Sequence, residues 1–250
     1  MRATWRCSRG GSSSGKRNGR NDAVRVAALA DSKVAAHSAR FFKSGKGEYG
    51  EGDRFLGIRV PVLRQQVRRF QDTPLRAVTS MLKSSYHEER LFAVLLLVHQ
   101  YQRRNSETKD RIYAVYLDHR EYINNWDIVD SSAHLIVGPH LVTGDRDTLY
   151  ELARSTILWD RRIAMMATYH YIRQLDFEDA LRISRVLRDD DHDLIHKAVG
   201  WMLREIGNRD IRVEERFLKT NYKNMPRTML RYAIEKFPAV RRKAYLNGTV

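Results

Sequence analysis

Two residues at helical spacing, Trp126 and Asp130, stand in the stretch NNWDIVDSSAHLIVG (124–138). Side chains four apart share a helix face, so an indole and a carboxylate project together. Asn125 has the character of an N-cap, and Asp127 sits in the first turn, where a carboxylate suits the helix dipole. Ile128, Val129, Leu135, Ile136 and Val137 supply the apolar side, which predicts that Trp126 and Asp130 face away from the buried stripe. A carboxylate beside an aromatic face stabilises developing positive charge, and it does so best where water is excluded.

Other chemical candidates are weaker. HDLIH (192–196) puts His192 and His196 at i, i+4 as in a zinc helix, but Asp193 replaces the usual glutamate and no third ligand is evident. The pair reads as polar-face histidines, and no metal or cofactor is expected. GKGEYGEG (45–52) is glycine-rich but lacks the phosphate-loop GK[ST] and a preceding strand, so it reads as a loop able to approach a nucleic-acid backbone. Lys43 and Lys46 lie beside it as candidate phosphate contacts. No lysine is marked out as a Schiff-base nucleophile, and RRK (241–243) reads as a solvated basic patch. A single cysteine, Cys7, leaves no basis for disulfides, thiolate zinc sites or iron–sulfur clusters.

The elements that must position these residues are helices. Strand-like alternation is absent, and apolar residues recur at helical spacing through most of the 250 residues. Five stretches begin alike with a polar or charged turn followed by a compact apolar stripe: ERLFAVLLLVHQYQ from 89, NWDIVDSSAHLIVG from 125, DRRIAMMATYHYIR from 160, HKAVGWMLREIGNR from 196 and PRTMLRYAIEKFPA from 226. Their starts are 36, 35, 36 and 30 residues apart. Partner helices are predicted over 107–121, 145–155, 177–189 and 212–222. A period of about 35 residues holding a helix pair is the mark of an α-solenoid. The expected architecture is all-α: an α-solenoid of helix-pair repeats forming one curved superhelix over 23–245, with a basic concave groove lined by the second helix of each pair.

Charge points to the partner. The chain carries 45 Lys and Arg against 30 Asp and Glu, a net +15 with a pI near 10.1. Residues 1–22 hold six basic residues and one acid, leaving about +10 on the remainder. So basic a body favours a polyanion, nucleic acid before membrane, with counter-ion release dominating the affinity. The longest apolar run, LFAVLLLV (91–98), is far too short to span a bilayer. Residues 1–22 lack the apolar core of a secretory signal and read as a disordered basic arm. A cytoplasmic, nucleoid-associated protein is expected; the Arg/Ser-rich arm leaves organelle import open. A monomer is expected.

Trp126 and Trp159 fall at helix starts of the repeat and Trp201 within a later one. Arg161 and Arg162 follow Trp159, and Arg204 follows Trp201 by three. Any one of these taken alone reads first as a core tryptophan with solvated arginines, but their recurrence at equivalent positions weakens that reading. FLGIRVPVLR (55–64), NNWDIVD (124–130), WDRRIA (159–164) and KAVGWMLRE (197–205) together resemble the DNA alkylation repair family, the AlkD-like HEAT-repeat DNA glycosylases. The resemblance runs from about 35 to 240, and RFFKSGKGEYGEGDRFLGI (40–58) is similar to that family's N-terminal segment.

The resemblance implies a monofunctional glycosylase that releases N3- and N7-alkylated purines from duplex DNA without flipping the base. It places Trp126, Asp130, Arg162 and Trp201 at the catalytic centre. Phe41 stands where the family's best-known members have a lesion-side tyrosine, keeping the ring and losing the hydroxyl. Phe41, Lys43, Lys46, Arg161 and Arg204 are the expected DNA contacts. The chemistry is independent of the name: an alkylated purine is already cationic and leaves readily, while positive charge grows on the sugar. Asp130 would stabilise that charge and orient the attacking water, the faces of Trp126 and Trp201 would add about 0.5–2 kcal/mol each, and Arg162 would hold a flanking phosphate. The competing expectation is a non-catalytic repeat protein that binds damaged or branched nucleic acid, and the role of Asp130 separates the two.

Overall fold

The computed structural model describes residues 27–250, so Cys7 and the basic arm expected over 1–22 lie outside the described residues. The helices are α1 (Ser32–Phe41), α2 (Val60–Arg69), α3 (Leu75–Leu82), α4 (His87–Arg103), α5 (Ser106–Asp118), α6 (Trp126–Asp130), α7 (Ala133–His140) and α8 (Asp147–Ala153). Then follow α9 (Leu158–Ala167), α10 (Tyr169–Ile172), α11 (Glu178–Val186), α12 (Asp193–Gly207), α13 (Ile211–Asn221), α14 (Arg227–Ala233) and α15 (Ala239–Asn247). The β pairing among the described residues is a bridge between Arg54 and Tyr86. No helix among them is long and apolar enough to cross a membrane.

The sequence sets these boundaries locally. Four of the five prolines mark helix starts: Pro74, Pro226 and Pro238 stand at the N-caps of α3, α14 and α15, and Pro61 lies in the first turn of α2. There the missing N–H costs nothing, because first-turn donors have no helical acceptor. Asp31, Asn105 and Asp210 cap α1, α5 and α13 by accepting backbone N–H bonds with their side chains.

Two rows of helices stack in chain order. α4, the α6–α7 pair, α9, α12 and α14 each pack on the next, and α5, α8, α11 and α13 lie against α7, α9, α12 and α12 respectively. The five predicted repeat starts fall in α4, at α6, in α9, in α12 and at the N-cap of α14, and the predicted partner helices match α5, α8, α11 and α13. The core follows the inner row, from Leu91, Phe92, Leu96 and Leu97 through Ile163 and Met165 to Ala198, Val199 and Met202.

Two expected helices are interrupted. The stretch from 125 breaks at Ser131–Ser132 into α6 and α7. The buried Ser132 hydroxyl donates to the Ile128 carbonyl at 2.7 Å and accepts from Tyr116 at 2.9 Å, so a side chain takes a bond the helix would have used. Likewise the stretch from 160 breaks at Thr168, whose hydroxyl donates to the Met165 carbonyl at 2.7 Å.

Candidate active site

The break at Ser132 leaves Asp130 at the end of a helix of five residues, next to the neighbouring repeat. Arg162 on α9 meets it with a two-pronged pair, Nε to Oδ1 at 2.9 Å and Nη2 to Oδ2 at 2.7 Å. The third prong, Nη1, donates to the Leu194 carbonyl at 2.6 Å. Asp130 keeps 14% of its side-chain surface and Arg162 only 5%, so the pair is largely withdrawn from water. Burial raises the pKa of the Asp130 carboxyl above the ordinary value, with the Arg162 charge pulling against it. His134, one turn further on, is pushed down to about 4 by burial and brings no positive charge at neutral pH.

Beside the pair lies a cleft of about 500 Å³ drawing residues from several repeats. Trp126, Trp201, Phe41 and Tyr49 give it aromatic walls, Arg162 reaches it from the ion pair, and Lys43 and Lys197 bring positive charge. Phe41 is 57% exposed and packs edge-on to Trp126 with ring centres 5.8 Å apart. Lys197 pairs with Asp193 at 2.6 Å, which together with the burial opposing it leaves the ammonium pKa raised.

A charged network braces Trp126 from behind. The Asn125 side chain caps α6 by accepting the Trp126 N–H at 2.8 Å. Asp127 accepts from its neighbour Ile128 at 2.9 Å and from His87 Nε2 at 2.8 Å. His87 Nδ1 reaches Asp53 at 3.3 Å, and Asp53 is also paired with Arg90. Burial disfavours the imidazolium, but Asp127 and Asp53 outweigh it and lift the His87 pKa to about 9. The cation lies against the rings of Phe42 and Phe55, at 4.6 and 5.1 Å, and Phe42 in turn lies 5.4 Å from Trp126.

Of the residues singled out in the sequence, Phe41, Lys43, Trp126, Arg162 and Trp201 line one cleft, with Asp130 held behind Arg162. Asp130 is more buried than the expectation of a face turned from the core. Arg162 spends its fork on Asp130 rather than presenting it to a phosphate. Lys46 is exposed on the loop but does not line the cleft. Arg161 is bound to Asp190 at 2.6 Å and to the carbonyls of Ser155 and Thr156, and Arg204 is bound to Glu235, so neither is a free cation. His192 caps α12 by accepting from Leu194, and His196 bonds the Asp190 carbonyl; among the described residues no group of three His, Cys, Asp or Glu side chains is disposed to hold a metal ion. Sequence reasoning gave no site role to Tyr49, Asp193, Lys197 or Tyr232, which share the cleft. Lys197 was within reach, four residues before Trp201 on one helix face; Tyr49 carried no signal beyond its glycine-rich surroundings.

Comparison with known proteins gives two findings. A family model described as DNA alkylation repair enzyme matches residues 25–237. A solved structure described as "Predicted DNA alkylation repair enzyme from Enterococcus faecalis" superposes with a TM-score of 0.64 at 17% identity, covering 84% of this chain and 98% of that one. At that identity the likeness is one of fold. No curated protein matches the chain in sequence.

Proposed function

This chain belongs to the DNA alkylation repair enzyme family, and on that premise we propose that it hydrolyses the N-glycosidic bond of N3- and N7-alkylated purines in duplex DNA. The observation that carries this reading is the Asp130 carboxylate, largely withdrawn from water, held at both oxygens by Arg162 and set against a cleft walled by Trp126 and Trp201. The alkylated purine departs with the electron pair of the glycosidic bond, and the deoxyribose takes on positive charge. Asp130 stabilises that cation in a site where few waters compete, and the indole faces add to it. Water then bonds to the anomeric carbon and gives up a proton, which the Asp130 side accepts. Arg162 acts as the clamp that fixes the carboxylate. Lys43 and Lys197 are suited to the flanking phosphates. The enzyme works as a monofunctional glycosylase on duplex DNA, as a monomer and without flipping the base.

The test is release of 7-methylguanine from an alkylated duplex under single-turnover conditions, wild type against Asp130→Asn, with binding followed at two salt concentrations. Release should fall by about 10²–10³-fold in the variant, while duplex affinity holds or improves. Tight, salt-dependent binding by both proteins without release by the wild type would sink the enzymatic reading and favour a protein that only binds damaged or branched nucleic acid.

A further inference from the structure

α6 is five residues long, and a helix so short holds no position by itself. It carries Trp126 at its first residue and Asp130 at its last, so a contact that fixes α6 fixes both. His87, the first residue of α4, makes that contact. Its ring donates from Nε2 to Asp127 at 2.8 Å and from Nδ1 to Asp53 at 3.3 Å. An ionised carboxylate only accepts, so a ring that serves two of them carries a proton on each nitrogen. The imidazolium is 2% exposed, and its raised pKa agrees with that charge.

The groups around the ring are already committed. Asp127 gives its other oxygen to the Ile128 N–H inside α6. Asp53 pairs with Arg90 at 2.5 Å and also accepts from the side chain of Asn125, the N-cap of α6, at 3.4 Å. Glu88 is spent on the backbone N–H groups of Leu56, Gly57 and Ile58. His87 therefore joins α4 to α6 directly through Asp127 and again through Asp53 and the cap. A cavity of about 580 Å³ opens onto the bond, with His87, Asp127, Phe41 and Phe42 among its walls.

We propose that His87 is a positioning residue for the reaction put forward above: bonded to Asp127 and Asp53, its ring transfers the fixed place of α4 to α6 and so sets where Trp126 and Asp130 stand toward the sugar. This role rests on the glycosylase reading. Losing the bridge displaces both groups together, which slows base release and leaves duplex affinity, supplied by phosphate contacts, in place.

His87→Ala, assayed below its melting midpoint, should lower single-turnover release of 7-methylguanine by about 10–100-fold, with duplex affinity at the wild-type value. The cavity allows the missing ring to be supplied from solution. At about pH 6 imidazole is largely protonated and donates from both nitrogens; it should restore release. Pyrazole, of the same size and uncharged, should not, and neither should change the wild-type rate. Rescue by both would reduce His87 to packing; rescue by neither, or release by His87→Ala at the wild-type rate, would overturn the role as well. Should His87→Ala not fold, Asp127→Asn carries the test: its amide oxygen can still accept the Ile128 N–H while its charge is gone. Release by Asp127→Asn at the wild-type rate would overturn the role of His87 and leave the glycosylase reading standing. No release by the wild type would overturn the glycosylase reading, and this role with it.

Discussion

Asp130 carries two opposed influences, and their balance is measurable. Burial raises the carboxyl's pKa, and Arg162 works to lower it. The ionised form is the one that stabilises a cation, so release should fail on the acid side, with a limb above the ordinary aspartate range near 3.9. Arg162→Gln removes the opposing charge, so the limb should move to still higher pH and the rate at neutral pH should drop. The pH profile of single-turnover release in the two proteins checks this; a limb that stays in place would show that Arg162 does not set the charge state of Asp130. At this scale the sequence was legible where spacing is local. Trp126 and Asp130 lie one turn apart and were found together. Arg161 and Arg204, expected as DNA contacts, are each paired with an acid far away in sequence, Asp190 and Glu235 at 29 and 31 residues. A repeat period announces that such neighbours exist without saying which side chains meet. Tyr49 was missed for the same reason: its placement depends on a loop closing through the Gly50 N–H on the Lys43 carbonyl and on the ring of Trp159, far along the chain.

Helices of the inner row approach unusually closely at two glycines. A Cβ on Gly138 of α7 would stand 2.5 Å from the Ala167 carbonyl oxygen and 2.6 Å from the His170 Cβ. On Gly200 of α12 it would stand 2.4 Å from the Met229 carbonyl oxygen and 2.5 Å from the Tyr232 Cβ. Both obstacles include backbone, so rotamer changes cannot clear them. Gly200→Ala should therefore destabilise by about 1–3 kcal/mol despite the better helix propensity of alanine. It should also displace α14, which brings Tyr232 to the cleft. Thermal melting followed by circular dichroism reads the first effect, and an unchanged or raised midpoint would contradict the close approach. The repeat itself was legible because an apolar stripe every 35 or so residues survives any local irregularity. The breaks at Ser132 and Thr168 were not, since a hydroxyl that bonds back to its own helix has the same one-letter code as one that points to water. Yet the first of these breaks is what ends α6 at Asp130 and presents the carboxylate to the next repeat.

Among the described residues, arginine–aspartate pairs join segments far apart in sequence: Arg120 to Asp160, Arg146 to Asp179, Arg162 to Asp130 and Arg161 to Asp190. The net charge of +15 still sets the attraction for a polyanion, but a good part of the arginine is structural, and the cleft's own cations are Lys43 and Lys197. Two buried groups make the stability of this assembly depend on pH. His87, held by Asp53 and Asp127, keeps its proton up to about 9, against about 6.5 in an unfolded chain. Glu214 of α13 is buried beside Glu215, and burial first and that neighbour second push it up to about 9, with only Arg204 opposing. Both folded-state values lie above their unfolded ones, so between them the native state binds more protons, and stability falls as pH rises. Each group contributes up to about 1.4 kcal/mol per pH unit, Glu214 from about pH 4.5 and His87 from about pH 6.5, until each titrates near 9. The melting temperature should therefore decline from pH 6 to pH 9. Glu214→Gln, which keeps the shape of the protonated acid, should raise the midpoint at pH 8 and flatten the decline. His87→Gln should flatten it too, but by lowering the midpoint at pH 6, since the cation between two carboxylates is then lost. A wild-type midpoint that is level or rises over this range would mean that neither proton is retained in the fold, and that the brace behind Trp126 is held by something other than an imidazolium.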